Sequence, residues 1–114
     1  MPYIKIQSAA PIADQEKAAL LKDVSKQLAQ LLGKPESYVM TAYQGAEAMT
    51  FAGDESPCAF LEVKSIGLPA SATASLSKAL CDLISRNLDI PTSRVYIEFA
   101  NAPGAMWGWD GRTF

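Results

Sequence analysis

Residues 59–66 read AFLEVKSI, and residues 2–8 read PYIKIQS. Both alternate apolar and polar side chains at period two, the pattern of a strand with one buried face. At an offset of about 56–57 residues the two stretches match role for role: Ile4 with Leu61, Ile6 with Val63, Ser8 with Ser65. The match continues downstream through Leu28 and Ile84, Leu32 and Leu88, Pro35 and Pro91, Val39 and Val95. The chain is therefore read as one strand–helix–strand unit written twice, with repeats at about 2–44 and 58–100 and a tail at 101–114.

Each copy carries a helical stretch between its strands. The first, DQEKAALLKDVSKQLAQLLG, sets Leu21, Val24, Leu28 and Leu31 at helical spacing, with Leu20 and Leu32 widening the stripe. Asp14 is the expected N-cap, and Gly33 with Pro35 gives the stop. The second, ASATASLSKALCDLISRNL, carries Leu76, Leu80, Leu83, Ile84 and Leu88 and ends before Ile90-Pro91. Each crossover is long enough to join parallel strands by the right-handed connection. The expected fold is a single α+β (α/β) domain over 1–114: a duplicated βαβ unit, a four-stranded mixed sheet with both helices on one face, and short edge strands.

Strand alternation assigns the faces. Ile4, Ile6, Leu61, Val63, Val95, Ile97 and Phe99 should meet the helices, while Tyr3, Phe60, Tyr96 and Glu98 project from the other side. That second face holds too much aromatic surface to be left to water, which predicts a homo-oligomer. The tail NAPGAMWGWDGRTF crowds Met106, Trp107, Trp109 and Phe114 together without a helical period. It reads either as an edge strand packing its rings on the core or a neighbour, or as the aromatic wall of a ligand pocket.

Composition narrows the chemistry. The 114 residues are 49% hydrophobic and 19% charged with a net charge of −2, and the basic residues are scattered. That balance argues against nucleic acid or an anionic membrane as partner. No apolar run reaches membrane-spanning length and no leader is evident, so the cytosol is the expected compartment unless export is unconventional. Cys58 and Cys81 form no redox or metal-spacing motif, and Cys81 is expected to be a buried thiol. Histidine is absent, which removes the usual metal ligand and the one side chain that titrates unperturbed near neutrality. No metal or cofactor is expected. An acid–base enzyme of this composition needs a perturbed carboxylate, lysine or thiol, or the amino terminus itself, with an ordinary pKa of about 8.

Pro2 acquires meaning here. Removal of Met1 would make it a free secondary amine fixed to the first strand, although proline also suits a strand's first position simply because it wastes no N–H.

Seven pieces taken in order carry a resemblance over the length of the chain: MP at the start, QLAQLLGKP, ESPCAF, KSIG, SKALCDLI, RVYIEF and GWDGRTF. Together they resemble the macrophage migration inhibitory factor family, within the tautomerase superfamily. The resemblance implies a homotrimer whose sheets line a central barrel, with a pocket at each subunit interface. It implies Pro2 as general base in keto–enol exchange of aryl pyruvates such as phenylpyruvate and 4-hydroxyphenylpyruvate, or of dopachrome-like compounds. Lys34 matches the lysine that pairs with the substrate carboxylate, and Ile66 a position whose N–H contacts the same group. Tyr96 matches a pocket tyrosine supplied by the adjacent subunit. Tyr3, Tyr38, Met106, Trp107, Trp109 and Phe114 would form the aromatic surround. A poorly solvated amine beside a cation is disfavoured in its protonated form, so its pKa falls toward neutrality, where a base works best.

Three departures qualify the resemblance. Glu98 stands where the mammalian cytokine has an asparagine, which predicts an altered substrate preference. Trp107 replaces a smaller aliphatic residue and should narrow the pocket. The Cys-x-x-Cys pattern is broken at Cys58-Ala59-Phe60-Leu61, so thiol–disulfide activity is expected to be absent. Related decarboxylases and dehalogenases usually add arginines near the proline, whereas Arg86, Arg94 and Arg112 fall outside the matched pocket positions. The alternative function is a cytokine-like mimic engaging a protein receptor, with a vestigial pocket.

Overall fold

The computed structural model describes residues 2–114. The first repeat forms β1 (Tyr3–Ser8), α1 (Asp14–Leu32) and β2 (Met40–Gly45), and the second forms β3 (Ala59–Ile66), α2 (Thr73–Leu88) and β4 (Val95–Ala102). The strands lie in the order β2-β1-β3-β4. β1 runs parallel to β2, and β3 to β4, while β1 and β3 meet antiparallel at the centre. Each repeat therefore closes its own parallel pair, and the two join through their first strands. Among the described residues no helix is long and apolar enough to cross a membrane.

The helices bury one sheet face. Ile4, Ile6, Leu61 and Val63 from the central strands pack with Leu20, Val24 and Leu28 of α1 and Leu76, Leu80, Leu83 and Ile84 of α2 in one continuous core. Burial of a Leu or Ile side chain contributes on the order of 1.5–3 kcal/mol, so this cluster supplies most of the driving force. Val95 is buried with it, and Ile97 and Phe99 pack against it partly covered. Leu31 continues the α1 stripe but is exposed, because burial on that helix ends with Leu28 and Ala29. Cys58 is the buried thiol, whereas Cys81 is only partly covered, with its pKa raised chiefly by that burial.

The helix ends differ in detail from the sequence expectation. Ala13, not Asp14, occupies the N-cap of α1, and its carbonyl receives the N–H groups of Glu16 and Lys17. Asp14 is the first helical residue, where its carboxylate complements the positive end of the helix and lies 3.5 Å from Lys17 Nζ. At the other end Gly33 adopts φ 64°, and the following Lys34 N–H donates to the Ala29 carbonyl. This left-handed turn, which glycine enters without strain, aims Lys34 back toward the sheet. The equivalent position in the second repeat is Asp89, at φ 56°; aspartate is among the few other residues that visit this region routinely.

The tail folds as a short helical turn, Gly104–Met106, followed by a hairpin of β5 (Gly108–Trp109) and β6 (Arg112–Thr113). Asp110 and Gly111 both have positive φ, 51° and 75°, as a tight two-residue hairpin turn requires. The expected short edge strands thus pair with one another rather than extending the sheet.

Candidate functional site

The face of the sheet away from the helices is not uniformly aromatic. Its centre is a charge ladder in which Glu62 on β3 lies 3.1 Å from Lys5 Nζ on β1 and 3.8 Å from Lys64 Nζ two residues along its own strand. Glu98 on β4 stands directly opposite Glu62 in the register. Aromatic and apolar side chains flank this ladder at the two ends of the sheet, and each end opens into a hollow.

The first hollow, of about 380 Å³, lies at the head of β1. Pro2 forms part of its wall and is buried, and its carbonyl accepts the Met40 N–H at 3.0 Å, so the β1–β2 pairing fixes its position. Tyr3 and Tyr38 line the same space, as do Trp107, Trp109 and Phe114 from the tail. The rings brace one another. Trp109 and Phe114 stack at 5.7 Å and 15°, and Tyr38 meets them edge-on at 5.6 and 6.2 Å. Such geometries suit the ring quadrupoles.

Two backbone features hold the tail there. The Phe114 N–H donates to the Trp107 carbonyl at 3.2 Å. Gly104 lies so close to Phe114 that a Cβ would stand 2.8 Å from the Phe114 carbonyl oxygen, a contact only glycine avoids.

Six of the sequence-expected residues, Pro2, Tyr3, Tyr38, Trp107, Trp109 and Phe114, therefore meet in one place. Lys34 and Ile66 meet each other: Lys34 Nζ donates to the Ile66 carbonyl at 2.9 Å, and neither lines the hollow within one protomer. Met106 is 78% exposed and outside the wall, because the helical turn that begins at Gly104 swings it to the surface while Trp107 turns inward. Tyr96 and Glu98 lie on β4, away from this hollow.

Tyr96 instead lines a second hollow of about 360 Å³, with Phe51, Cys58 and Phe60. Its ring lies 4.8 Å from that of Phe51. The loop carrying Phe51 is held by Arg94, whose guanidinium donates to the carbonyls of Phe51, Asp54, Ser56 and Pro57 at 2.9–3.3 Å. Within that loop Asp54 Oδ1 accepts both the N–H and the hydroxyl of Ser56 at 2.8 Å. Those two bonds, aided by the charge of Arg94, hold the Asp54 carboxyl below its usual range. Arg112 stacks on the Trp109 ring at 4.7 Å and Arg86 returns to the Asp82 carbonyl. Neither lines the first hollow.

Sequence reasoning missed Lys64, Ser37, Val39 and Met40 in the wall of the Pro2 hollow. For Lys64 part of the signal was present: alternation puts it on the face of Phe60, whereas its place opposite Tyr3 comes from the antiparallel register.

A model of the family described as macrophage migration inhibitory factor matches residues 1–114. The chain belongs to the macrophage migration inhibitory factor family. A homologue of that factor from Brugia malayi is 39% identical over 115 residues, covering all of this chain and 99% of the relative. Among solved structures, the homologue from Prochlorococcus marinus superposes with a TM-score of 0.92 at 46% identity, over 98% of both chains. The Toxoplasma gondii protein gives 0.93 at 37% identity, over 98% of this chain and 99% of its own. The duplicated unit, the mixed sheet and the two helices on one face are thus the fold of this family, which lies in the tautomerase superfamily.

Proposed function

We propose that this protein is a keto–enol tautomerase acting on aryl pyruvates (phenylpyruvate, 4-hydroxyphenylpyruvate) or dopachrome-like compounds. The observation that carries the reading is Pro2, buried at the head of β1 and opening on a hollow walled by aromatic rings, in a chain of this family. Freed of Met1, its secondary amine takes a proton from the carbon next to the substrate carbonyl, and the resulting ammonium returns a proton to the enolate oxygen, giving the enol and restoring the free amine. A positioned base of this kind contributes about 10²–10⁴-fold in rate. Desolvation by the surrounding rings disfavours the ammonium form and keeps the amine available near neutral pH. Lys34 and the Ile66 N–H would meet the substrate carboxylate, and the stacked Trp109 and Phe114 with Tyr38 would hold its ring.

The proposed assembly is a homotrimer in the cytosol. Tyr96, 62% exposed on the open face of one protomer, would then complete the Pro2 hollow of its neighbour together with Glu98. Sedimentation at micromolar concentration tests the assembly, and a stable monomer speaks against it.

The activity is tested by following phenylpyruvate enolisation by absorbance for wild type and Pro2→Gly, with mass spectrometry of the amino terminus. Active wild type lacking Met1 and a variant near background support the reading; active material that retains Met1 ends it. A second reading, a cytokine-like protein that binds a receptor, is favoured by the names of relatives such as the macrophage migration inhibitory factor of Xenopus laevis. Wild type without turnover would leave that reading in place.

A further inference from the structure

We propose that Lys64 is a second, specificity-determining cation of the Pro2 hollow, joining Lys34 in pairing with the carboxylate of an anionic aromatic substrate. The nature of that substrate rests on the tautomerase reading; the selection of an anion does not.

Among the described residues lining the hollow, Lys64 is the one charged side chain. An anion entering a largely aromatic space must be paired there or forfeit its hydration uncompensated. The other nearby cations each keep a partner, although one hydrogen bond leaves the Lys34 ammonium two more protons to donate. Lys34 Nζ donates to the Ile66 carbonyl, and Arg112 lies over the ring of Trp109. Lys64 is held only loosely. Its contact with Glu62 is 3.8 Å, that carboxylate is closer to Lys5 at 3.1 Å, and the Lys64 side chain is half exposed. An ion pair of that length and exposure is weak, so the ammonium can turn on its flexible stem toward an incoming anion at little cost. Its place is fixed all the same, because β3 sets it opposite Tyr3, the residue next to Pro2. Lys64 and Ile66 lie two residues apart on one face of β3, so Lys64 and the Ile66-bound Lys34 form a pair of cations along one strand end.

The test compares phenylpyruvate with its methyl ester in wild type, Lys64→Met, Lys64→Arg and Lys34→Met. Lys64→Met is expected to raise KM for the acid roughly tenfold, a change of about 1.4 kcal/mol. It should leave kcat within about twofold, the signature of lost uniform binding, and leave KM for the ester unchanged. Lys64→Arg should restore the acid, and added salt should weaken the acid in wild type more than in Lys64→Met. Equal losses on acid and ester would mark Lys64 as a packing residue and overturn the proposal. So would a normal acid preference in Lys64→Met that only Lys34→Met abolishes. If wild type turns over neither compound, the tautomerase reading fails separately, and the same pair is titrated by ligand-observed NMR. An acid preference lost in Lys64→Met then supports Lys64; a preference retained there, or absent from wild type, overturns it.

Discussion

The two hollows occupy equivalent places in the duplicated fold. At one end of the sheet Tyr3 on β1 pairs with Met40 on β2; at the other Phe60 on β3 pairs with Tyr96 on β4. The offset that aligns the repeats carries one pair onto the other, and the volumes, about 380 and 360 Å³, are close. Their chemistry diverges. The first has Pro2 at the strand head, Lys64 in its wall and the rings of the tail around it. The second has no charged side chain among its described lining residues, and there the chain runs on through Pro57 and Cys58 under a loop clasped by Arg94. Duplication makes two concave ends. The segments that are not duplicated, the tail at one end and the 46–57 connection at the other, decide what each can do.

The largest expected effect tests the part the two repeats share. Leu61→Ala should destabilise the fold by about 2–5 kcal/mol and Ile4→Ala by a similar amount, since both side chains are fully buried at matched positions. Urea unfolding reads both, and a several-fold disparity would show that the repeats are not energetic equivalents. Next comes the divergence. Pro2→Gly should lower kcat by about 10²-fold or more with an unchanged unfolding midpoint. Because the proposed trimer brings Tyr96 of the second hollow to a neighbour's Pro2, Phe60→Leu, which removes a ring beside Tyr96, should lower turnover several-fold. Unchanged turnover there would show that the two hollows do not meet across a subunit boundary.

Smaller effects sharpen the contrast. Glu98→Asn should change the rate on 4-hydroxyphenylpyruvate more than on phenylpyruvate, because only the former offers a ring hydroxyl; equal rates for variant and wild type on both count against a pocket role. Arg94→Ala should free the 51–57 loop, seen as faster amide exchange there and a stability loss of about 1 kcal/mol, with the Pro2 hollow undisturbed. The smallest effect is acid loosening of the same loop. Asp54 titrates below its unfolded value, so its contribution is complete above the ordinary aspartate pKa of about 3.9 and fades as pH falls through the lower folded value. Amide exchange across 51–57 in wild type and Asp54→Asn, compared between pH 5 and pH 2, checks the sign.

Legibility in the sequence followed the range of the interactions involved. β3 reads at its exact bounds from AFLEVKSI because each residue's role there depends on alternation alone. The face of α1 was legible, but the loss of cover at Leu31 was not: Leu32, one residue on, takes the core contact, and periodicity does not rank neighbouring leucines. The tail's aromatic cluster was visible, and its hairpin could have been found from Asp110-Gly111; the inward turn of Trp107 and the outward turn of Met106 follow from a close approach between Gly104 and Phe114 ten residues apart.

By itself the sequence determined the duplication, the strand faces, the helical stripes and the family, all carried by local periodicity and by motifs in fixed order. Tertiary structure alone decided that Lys64 stands beside Pro2, that Lys34 is tied to Ile66, and that Arg94 gathers four carbonyls from a loop some forty residues away. Periodicity fixes which way a side chain points from its own element. What it meets depends on strand register and chain closure, which no local pattern encodes.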